Sequence, residues 1–281
     1  MRLFKMHGIG NDYVYADCMF DSIKNPSKFA IEVSDRHFGV GGDGLIMICA
    51  SDKADCRMRM FNQDGSEGKM CGNGIRCVGK YMYDNNYVQS PHVTIETGSG
   101  IRELDFVIDD GVCTGATVDM GIPEIEEKTL TVNGREMHAV CVDVGNPHCI
   151  LFVDDAENTD PAVLGPIIEK MPEFPDRTNV EFVTVINKHN MRMRVWERGS
   201  GITLACGTGA SASAAAAAYL GKCYRSVLVC LDGGYLHIRW DKTTNHLFMT
   251  GAATFVFEVV NYDHFGLGER RSSKLWRKAG R

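Results

Sequence analysis

Short apolar runs, each bounded by glycine, asparagine or aspartate, recur along most of the chain. Examples are residues 44–48 and 57–61 in the first half and residues 180–185 and 192–196 in the second. Runs of about four to eight residues between such turn formers are typical of β-strands. The pattern therefore predicts a protein made mostly of sheet, with strands in both halves of the chain.

Four segments carry a helical pattern instead. Residues 26–37 and 160–171 occupy matching places in the two halves, and the other two helices are predicted to begin at Cys71 and Cys206. Residues 210–218 are all alanine or serine, so this helix has no bulky face and almost no charge. A helix that is small and apolar all round is expected to be buried. Each half thus predicts a curved, mostly antiparallel sheet or barrel around a central helix.

The two halves also match each other without a gap at a separation of 135 residues. The sequence RMRMF at 57–61 leads to CGNG at 71–74, and RMRVW at 192–196 leads to CGTG at 206–209. A fixed long-range self-match indicates a duplicated structural unit. We expect an α/β fold of α+β character with two homologous domains, related by a pseudo-twofold axis and enclosing the active site in the cleft between them.

The repeat also suggests the domain boundaries. The first domain is predicted to span residues 1–115, completed by a strand near residues 254–262, and the second to span residues 118–253. A break near residues 113–122 separates them. The tail, residues 263–281, is rich in arginine and lysine, has no counterpart in the first half and is interpreted as a solvated terminus.

Composition narrows the class of protein. Apolar residues make up 44% and charged residues 23%, as in ordinary globular proteins, and the net charge is -6. An acidic chain is not expected to bind nucleic acid, and no signal peptide or membrane span is recognisable. We therefore predict a cytoplasmic protein with a small-molecule partner, no nucleic-acid or membrane partner, and a homodimer as the oligomer to consider.

The 11 cysteines are an odd number at scattered spacings, which favours free thiols over a disulfide framework. No Cys-x-x-Cys or His-x-x-x-His pair is present, so we expect no metal site. No pyridoxal-phosphate site is recognisable either, and no cofactor is predicted.

Cys71 and Cys206 differ from the other cysteines because each is followed by Gly-x-Gly at the start of a helix. A helix N-terminus favours negative charge, so a thiol there is expected to ionise more easily than a free one. The same N–H groups can hold a substrate carboxylate. Two such sites facing one cleft would place a sulfur on each face of an α-carbon, as two-base proton transfer requires.

Seven motifs, in order along the chain, resemble those of the diaminopimelate epimerases, which are cofactor-independent two-cysteine enzymes of bacterial lysine and cell-wall synthesis. The resemblance runs from residue 3 to about residue 260. The motifs are GIGND at 8–12, FNQDGS at 61–66, MCGNG at 70–74, GNPH at 145–148, RTNVEF at 177–182, WERG at 196–199 and ACGTG at 205–209.

The resemblance implies that LL- and meso-2,6-diaminopimelate are interconverted, with Cys71 and Cys206 exchanging a proton with the α-carbon from opposite faces. It implies that His148 and Glu197 tune the two thiols, and that Glu197 also binds near the reacting ammonium. The substrate-binding residues that it implies are Gly72, Asn73, Gly207 and Thr208 at the reacting carboxylate, and Asn11, Asn62, Asn146, Asn179 and Arg198 at the distal end.

Two other readings stay open. A proline or hydroxyproline racemase shares the architecture and both cysteines, but its substrate has no distal ammonium, so the set Asn62, Asn179 and Arg198 favours diaminopimelate. A non-catalytic amino-acid-binding protein would have no need of both cysteines. The sequence also departs from the family where many members carry glutamine and this chain has Gly44, which leaves one polar contact of the substrate site unexplained.

Overall fold

The computed structural model describes residues 1–260 of the 281-residue chain, and these residues form 18 strands and four helices. The helices are α1 (Pro26–Ser34), α2 (Gly72–Asp84), α3 (Pro161–Ile168) and α4 (Gly207–Tyr219). The strands are β1 (Leu3–Gly8), β2 (Asn11–Cys18), β3 (Gly44–Cys49), β4 (Cys56–Asn62), β5 (Glu67–Gly68), β6 (His92–Thr97), β7 (Gly100–Asp109), β8 (Val112–Gly121), β9 (Glu124–Val132), β10 (Arg135–Asp143), β11 (Pro147–Phe152), β12 (Asn179–Asn187), β13 (Asn190–Glu197), β14 (Gly201–Ile202), β15 (Ser226–Leu231), β16 (Gly234–Trp240), β17 (Leu247–Ala252) and β18 (Thr254–Val259).

The strands form one continuous hydrogen-bonded sheet. Its pairing runs β18, β1, β2, β3, β4, β6, β7, β8, β17, β16, β15, β13, β12, β11, β10, β9, with the short β5 and β14 added beside β4 and β13. Most pairs are antiparallel, and the parallel ones are β2–β3, β4–β6, β11–β12 and β13–β15. β18 and β9 end the series, so the sheet is not closed. The predicted mixed class with a mostly antiparallel sheet is confirmed.

The 135-residue repeat is visible in the elements. α2 and α4 each have 13 residues and begin at equivalent positions, directly after Cys71 and Cys206. α1 and α3 also occupy equivalent places, although both end earlier than the predicted 26–37 and 160–171. Parallel pairs recur in the same way, since β2–β3 and β4–β6 of the first half correspond to β11–β12 and β13–β15 of the second.

The two cysteine helices lie inside the sheet, as the alanine-rich pattern predicts. α2 contacts β1, β2, β6, β7, β8 and β17, and α4 contacts β10, β11, β12, β13, β15, β16 and β17. Nearly every residue of both helices is buried. Alanine and serine suit α4 because small side chains let the surrounding strands approach the helix backbone closely. Each cysteine helix is therefore enclosed by strands, α2 mainly by those of the first half and α4 by those of the second.

The halves also exchange strands. β8 begins in the predicted first domain and pairs with β17 of the second, and β18 returns after β17 to pair with β1 of the first half. The break between domains predicted near residues 113–122 stays a prediction, and β8 runs through most of that segment. The domain boundaries at 1–115 and 118–253 stay predictions, and the tail 263–281 lies outside the described residues. In residues 1–260, no helix is long and apolar enough to cross a membrane.

Candidate active site

Cys71 is the N-cap residue of α2. Its backbone is extended, with φ -134° and ψ 116°, and its sulfur accepts a hydrogen bond of 3.3 Å from the N–H of Gly74. The thiol donates in turn to Oδ1 of Asn11, at 3.3 Å, in the first residue of β2. Cysteine therefore takes the place that serine or aspartate usually fills at a helix start. Because the sulfur replaces a capping oxygen, its position is fixed by the helix backbone.

Cys206 has the same geometry at the start of α4. Its φ is -118° and its ψ is 106°, and its sulfur accepts a 3.4 Å hydrogen bond from the N–H of Gly209. The hydroxyl of Thr208 lies 3.6 Å from the sulfur, and that hydroxyl also accepts a long hydrogen bond of 3.4 Å from the amide of Asn146. The two thiols therefore occupy equivalent capping positions in the two halves.

The starts of the two helices meet. The amide of Asn73 in α2 donates a 3.1 Å hydrogen bond to the carbonyl of Ala205, the residue before Cys206. Gly72 and Gly207 both face Met249, and a Cβ at either position would come within 3.0 Å of that side chain. Glycine at both helix starts thus lets the Met249 side chain pack against them, and a larger residue at either position would have to displace it.

The pKa values of the thiols differ from the expectation for a helix start. Burial raises the pKa of Cys71, although hydrogen bonds from the N–H groups of Gly74 and Asn73 oppose that rise. Burial raises the pKa of Cys206 well above its ordinary value, and the charges of Glu197 and Glu181 raise it further. The prediction that these thiols ionise more easily than a free one is therefore wrong, because loss of water raises both pKa values by more than the helix N-terminus lowers them.

A buried pair lies beside Cys206. Nδ1 of His148 in β11 is 2.7 Å from Oε1 of Glu181 in β12, and both side chains are fully buried. One ligand-type atom from each of His148, Glu181 and Cys206 falls within 4.8 Å of the others. Nε2 of His148 and Oε2 of Glu181 have no hydrogen-bond partner in the described part of the chain. The pair is thus fixed in orientation, and one polar atom of each side chain points to no partner within residues 1–260.

Glu197 ends β13 and lies between the two halves. It accepts a hydrogen bond from the hydroxyl of Thr203, and burial raises the pKa of its carboxyl. Its charge acts on both Cys71 and Cys206. The turn that follows is held by Glu169, which accepts hydrogen bonds from Nε1 of Trp196 at 2.7 Å and from the N–H of the residue at 199 at 3.3 Å.

The residues predicted to bind the distal end of the substrate differ in their surroundings. Asn179 lies opposite His148 in the β11–β12 pair, and its amide oxygen accepts the N–H of Arg198 at 2.9 Å. The Arg198 side chain is exposed and donates to the carbonyl of Asp176. Asn62 is exposed and bonds Ser66 at the end of β4. The contacts that Asn179 makes are therefore with the protein, and its amide holds the turn carrying Arg198.

Two predicted residues use their side chains for the protein. Both ends of the Asn73 amide are used, since its nitrogen donates to the carbonyl of Ala205 at 3.1 Å and its oxygen accepts a guanidinium N–H of Arg76 at 2.9 Å. Asn11 bonds Asp43 at 2.7 Å through its amide nitrogen. Their side chains thus support the cysteine segments.

Sequence reasoning assigned no role to Glu181, Arg76 or Thr203. A signal was present for the first two, because Glu181 is the only charged residue of β12 and Arg76 lies in the helix predicted to be buried, and buried charged residues are usually paired or functional. Thr203 carries no such signal, since its partner is set by the turn before α4.

Proteins of known structure with this fold define its class. A phenazine biosynthesis protein of the PhzF family from Bacillus anthracis is similar, with a TM-score of 0.72 at 18% identity over 92% of this chain and 99% of that chain. A hydroxyproline epimerase from Agrobacterium vitis gives 0.69 at 16% identity over 92% and 91% of the two chains. The fold is that of the two-lobed racemases and epimerases and their structural relatives.

Closer sequence relatives narrow this class. The diaminopimelate epimerase family profile matches residues 3–126 and 140–256. Diaminopimelate epimerases from Parabacteroides distasonis and Acetivibrio thermocellus are 50% and 46% identical, each over 92% of this chain and 97% of the relative. The chain belongs to the diaminopimelate epimerase family, an isomerase family, which confirms the resemblance read from its motifs.

Proposed function

We propose that the protein interconverts LL- and meso-2,6-diaminopimelate by moving the α-proton between two thiols. The observation that carries this proposal is the pair of cysteine caps, Cys71 and Cys206, at the starts of two helices that meet in one site. Family membership supports the substrate, and the site geometry supports the reaction. The Glu197 carboxylate near both thiols suits a substrate ammonium.

The reaction uses the thiols in opposite protonation states. One thiolate takes the α-proton, which forms an S–H bond and breaks the C–H bond, while the other thiol gives its proton to the opposite face of the same carbon. The substrate carboxylate would lie on the first N–H groups of α2 and α4, which have no partner within their own helices. Two positive helix ends stabilise the charge that develops in the carboxylate as the proton leaves.

The His148–Glu181 pair is assigned to the Cys206 side of this reaction. Its buried carboxylate fixes the orientation of the imidazole, and the free Nε2 can hold or release a proton. The hydroxyl of Thr208 lies beside the same sulfur, and the amide of Asn146 donates to that hydroxyl. Cys71 has only Asn11 in the equivalent role, so the two half-sites differ in how a proton can be returned.

The test is exchange at the α-carbon in heavy water. Reduced protein is incubated with LL-diaminopimelate, and deuterium incorporation is followed together with the ratio of the LL and meso isomers. Cys71→Ala and Cys206→Ala are each expected to abolish epimerisation. Cys223→Ala, which removes a buried thiol just after α4, is the matched control and should retain turnover.

Three results would contradict the proposal. They are no exchange by active, reduced wild-type protein, near-normal turnover by either cysteine variant, and exchange of proline in preference to diaminopimelate. Binding of diaminopimelate without exchange would indicate an amino-acid-binding protein. The cytoplasmic location, the lack of nucleic-acid or membrane partners and the homodimer stay predictions from the sequence.

A further inference from the structure

Arg76 is a charged residue at the centre of the fold with no assigned role. It lies on α2, one helical turn after Gly72, and its side chain is fully buried. The guanidinium donates to the carbonyl of Gly72 at 2.9 Å, to Oδ1 of Asn73 at 2.9 Å and to the carbonyl of Ala252 at 3.3 Å. All three acceptors are neutral, so the hydrogen bonds leave the positive charge uncompensated.

No carboxylate balances this charge within residues 1–260, because none of the ion pairs formed there by arginine includes Arg76. A guanidinium stays protonated even when buried, and an isolated buried charge costs free energy. The groups whose negative charge would act on it are Cys77, Cys71 and Tyr15. Burial raises the pKa of Cys77 to about 11 and that of Tyr15 well above its ordinary value. Burial raises the pKa of Cys71 as well, but Cys71 is the one of the three that caps the helix, where its sulfur accepts the N–H of Gly74, and it is therefore the group best placed to supply the missing charge.

The fold makes a close-fitting site for the guanidinium. A Cβ at Gly8 in β1 would lie 2.9 Å from Nη2 of Arg76, and a Cβ at Gly251 in β17 would lie 3.0 Å from its Cζ. The charged group is thus enclosed between two strands and the first turn of α2. This enclosure fixes the cation close to the Cys71 cap.

The equivalent position in the second half carries no charge. Ser211 lies 135 residues after Arg76, is also fully buried, and donates to the carbonyl of Gly207 at 3.0 Å. Both residues therefore bond the carbonyl four positions earlier on their helix. Only the first half adds a positive charge. Comparing the two equivalent positions therefore separates the effect of this hydrogen bond from the effect of the charge.

The charged and titratable groups facing the two thiols are correspondingly different. Cys71 is faced by Arg76 and Cys77 on its own helix, by Tyr13 and Tyr15 of β2, and by Glu197 of β13. The thiol of Cys206 is faced by Glu197 of β13, by Glu181 of β12, and by the imidazole of His148 in β11. The only fixed positive charge in these two sets lies on the Cys71 side, and the second carboxylate lies on the Cys206 side.

We propose that Arg76 is the fixed counter-charge of the Cys71 thiolate, so that Cys71 is the more readily ionised of the two thiols and Cys206 the one that more readily keeps its proton. Arg76 is a positioning residue that acts through Cys71. What this inference implies for turnover rests on the proposed function. A turnover that begins with C–H cleavage by Cys71 ends with a proton on Cys71 and a thiolate at Cys206, and the resting state returns when a proton is lost from Cys71 and gained by Cys206.

The test measures how alkylation of each thiol by iodoacetamide depends on pH, without substrate. Labelled peptides are quantified separately by mass spectrometry, and the midpoint of each rate profile is compared, because accessibility changes a rate but not its midpoint. In the wild type, the Cys71 midpoint should lie at least about one pH unit below that of Cys206. Arg76→Gln should raise the Cys71 midpoint by about one unit or more, which lowers its labelling rate near neutral pH about tenfold.

Two variants serve as controls. Arg76→Lys keeps the charge and should retain most of the low Cys71 midpoint, whereas Ser211→Ala removes the equivalent hydrogen bond of α4 and should leave that midpoint unchanged. The proposal is overturned if Cys206 has the lower midpoint in the wild type, or if folded Arg76→Gln keeps the wild-type Cys71 profile. Should Arg76→Gln fail to fold, the order of the two wild-type midpoints decides alone. Because labelling needs no substrate, absence of epimerisation would refute the proposed function and leave this result standing.

Discussion

Replacement of Asn73 by alanine is expected to reduce stability more than any other truncation at the two helix starts. Its buried amide joins the halves, since the nitrogen donates to the carbonyl of Ala205 at 3.1 Å and the oxygen accepts from Arg76 at 2.9 Å. Asn73→Ala leaves a buried carbonyl and a buried guanidinium N–H without these partners. Each unsatisfied group costs about 1–3 kcal/mol, so the free energy of unfolding should fall by about 2–5 kcal/mol.

The equivalent residue of the second half provides the matched comparison. Thr208 is half-buried, and its hydroxyl contacts are long, at 3.4 Å to the amide of Asn146 and 3.6 Å to the sulfur of Cys206. Thr208→Ala should therefore cost no more than about 1 kcal/mol. Asn73→Asp keeps an acceptor for Arg76 and loses only the donor to Ala205, so it should recover part of the lost stability.

Urea unfolding followed by tryptophan fluorescence measures these differences as shifts of the transition midpoint at constant slope. A loss of 2–5 kcal/mol would be a large fraction of the stability of an ordinary domain, roughly 5–15 kcal/mol. The reasoning is refuted if Asn73→Ala costs less than about 1 kcal/mol, or no more than Thr208→Ala. In either case the contact between the helix starts would not stabilise the joined halves.

Three further predictions follow from individual side chains. A methyl group at Gly209 would lie 2.6 Å from the Glu181 carboxylate, so Gly209→Ala should lower kcat at least about tenfold by displacing the second thiol, and unchanged kcat would contradict this. Glu169→Gln weakens the hold on Trp196 and the turn after it, and steady-state kinetics should show a higher KM with kcat largely retained. Burial raises the pKa of Cys77 to about 11 from 9.0, so this thiol stabilises the fold fully below about pH 9 and loses that contribution as pH rises toward 11. Unfolding free energy measured over pH 8–11 should fall less steeply in Cys77→Ala than in the wild type.

Much of the fold could be predicted because the repeat supplied its own check. Gly-x-Gly follows both Cys71 and Cys206, so each occurrence of the motif supported the prediction made from the other. Both helices begin where the pattern places them. The strands β6 to β9 were not predicted individually. β7 and β9 are largely exposed, with polar residues on both faces, so their apolar pattern is weak. Their pairing is local for β6–β7, β7–β8 and β9–β10, which are hairpins with two residues between the strands, and long-range where β4 meets β6 and β8 meets β17.

The site was predictable where chemistry follows from backbone position, and less so where it depends on packing. A cysteine at a helix start is readable from sequence, but the pKa of its thiol depends on how much water the closed site excludes. The Asn73 amide illustrates the same limit, because its donor and acceptor are both used only when Ala205 and Arg76 are brought to it from elsewhere. The motif identified the position correctly, and the tertiary structure assigns the side chain to the protein.

The differences between equivalent positions explain why a symmetric backbone can serve an asymmetric reaction. Two-base transfer needs one thiolate and one thiol at any moment, and two thiolates in one buried site would repel each other. Equivalent caps supply identical backbone donors to both sulfurs, from Gly74 and Gly209, so the backbone alone cannot choose between the two states. The choice must come from side chains. Arg76 is a buried cation in the first half, whereas the equivalent position in the second half is a neutral serine, Ser211. Duplication thus provides two positions for one proton, and the unpaired charge determines where that proton rests.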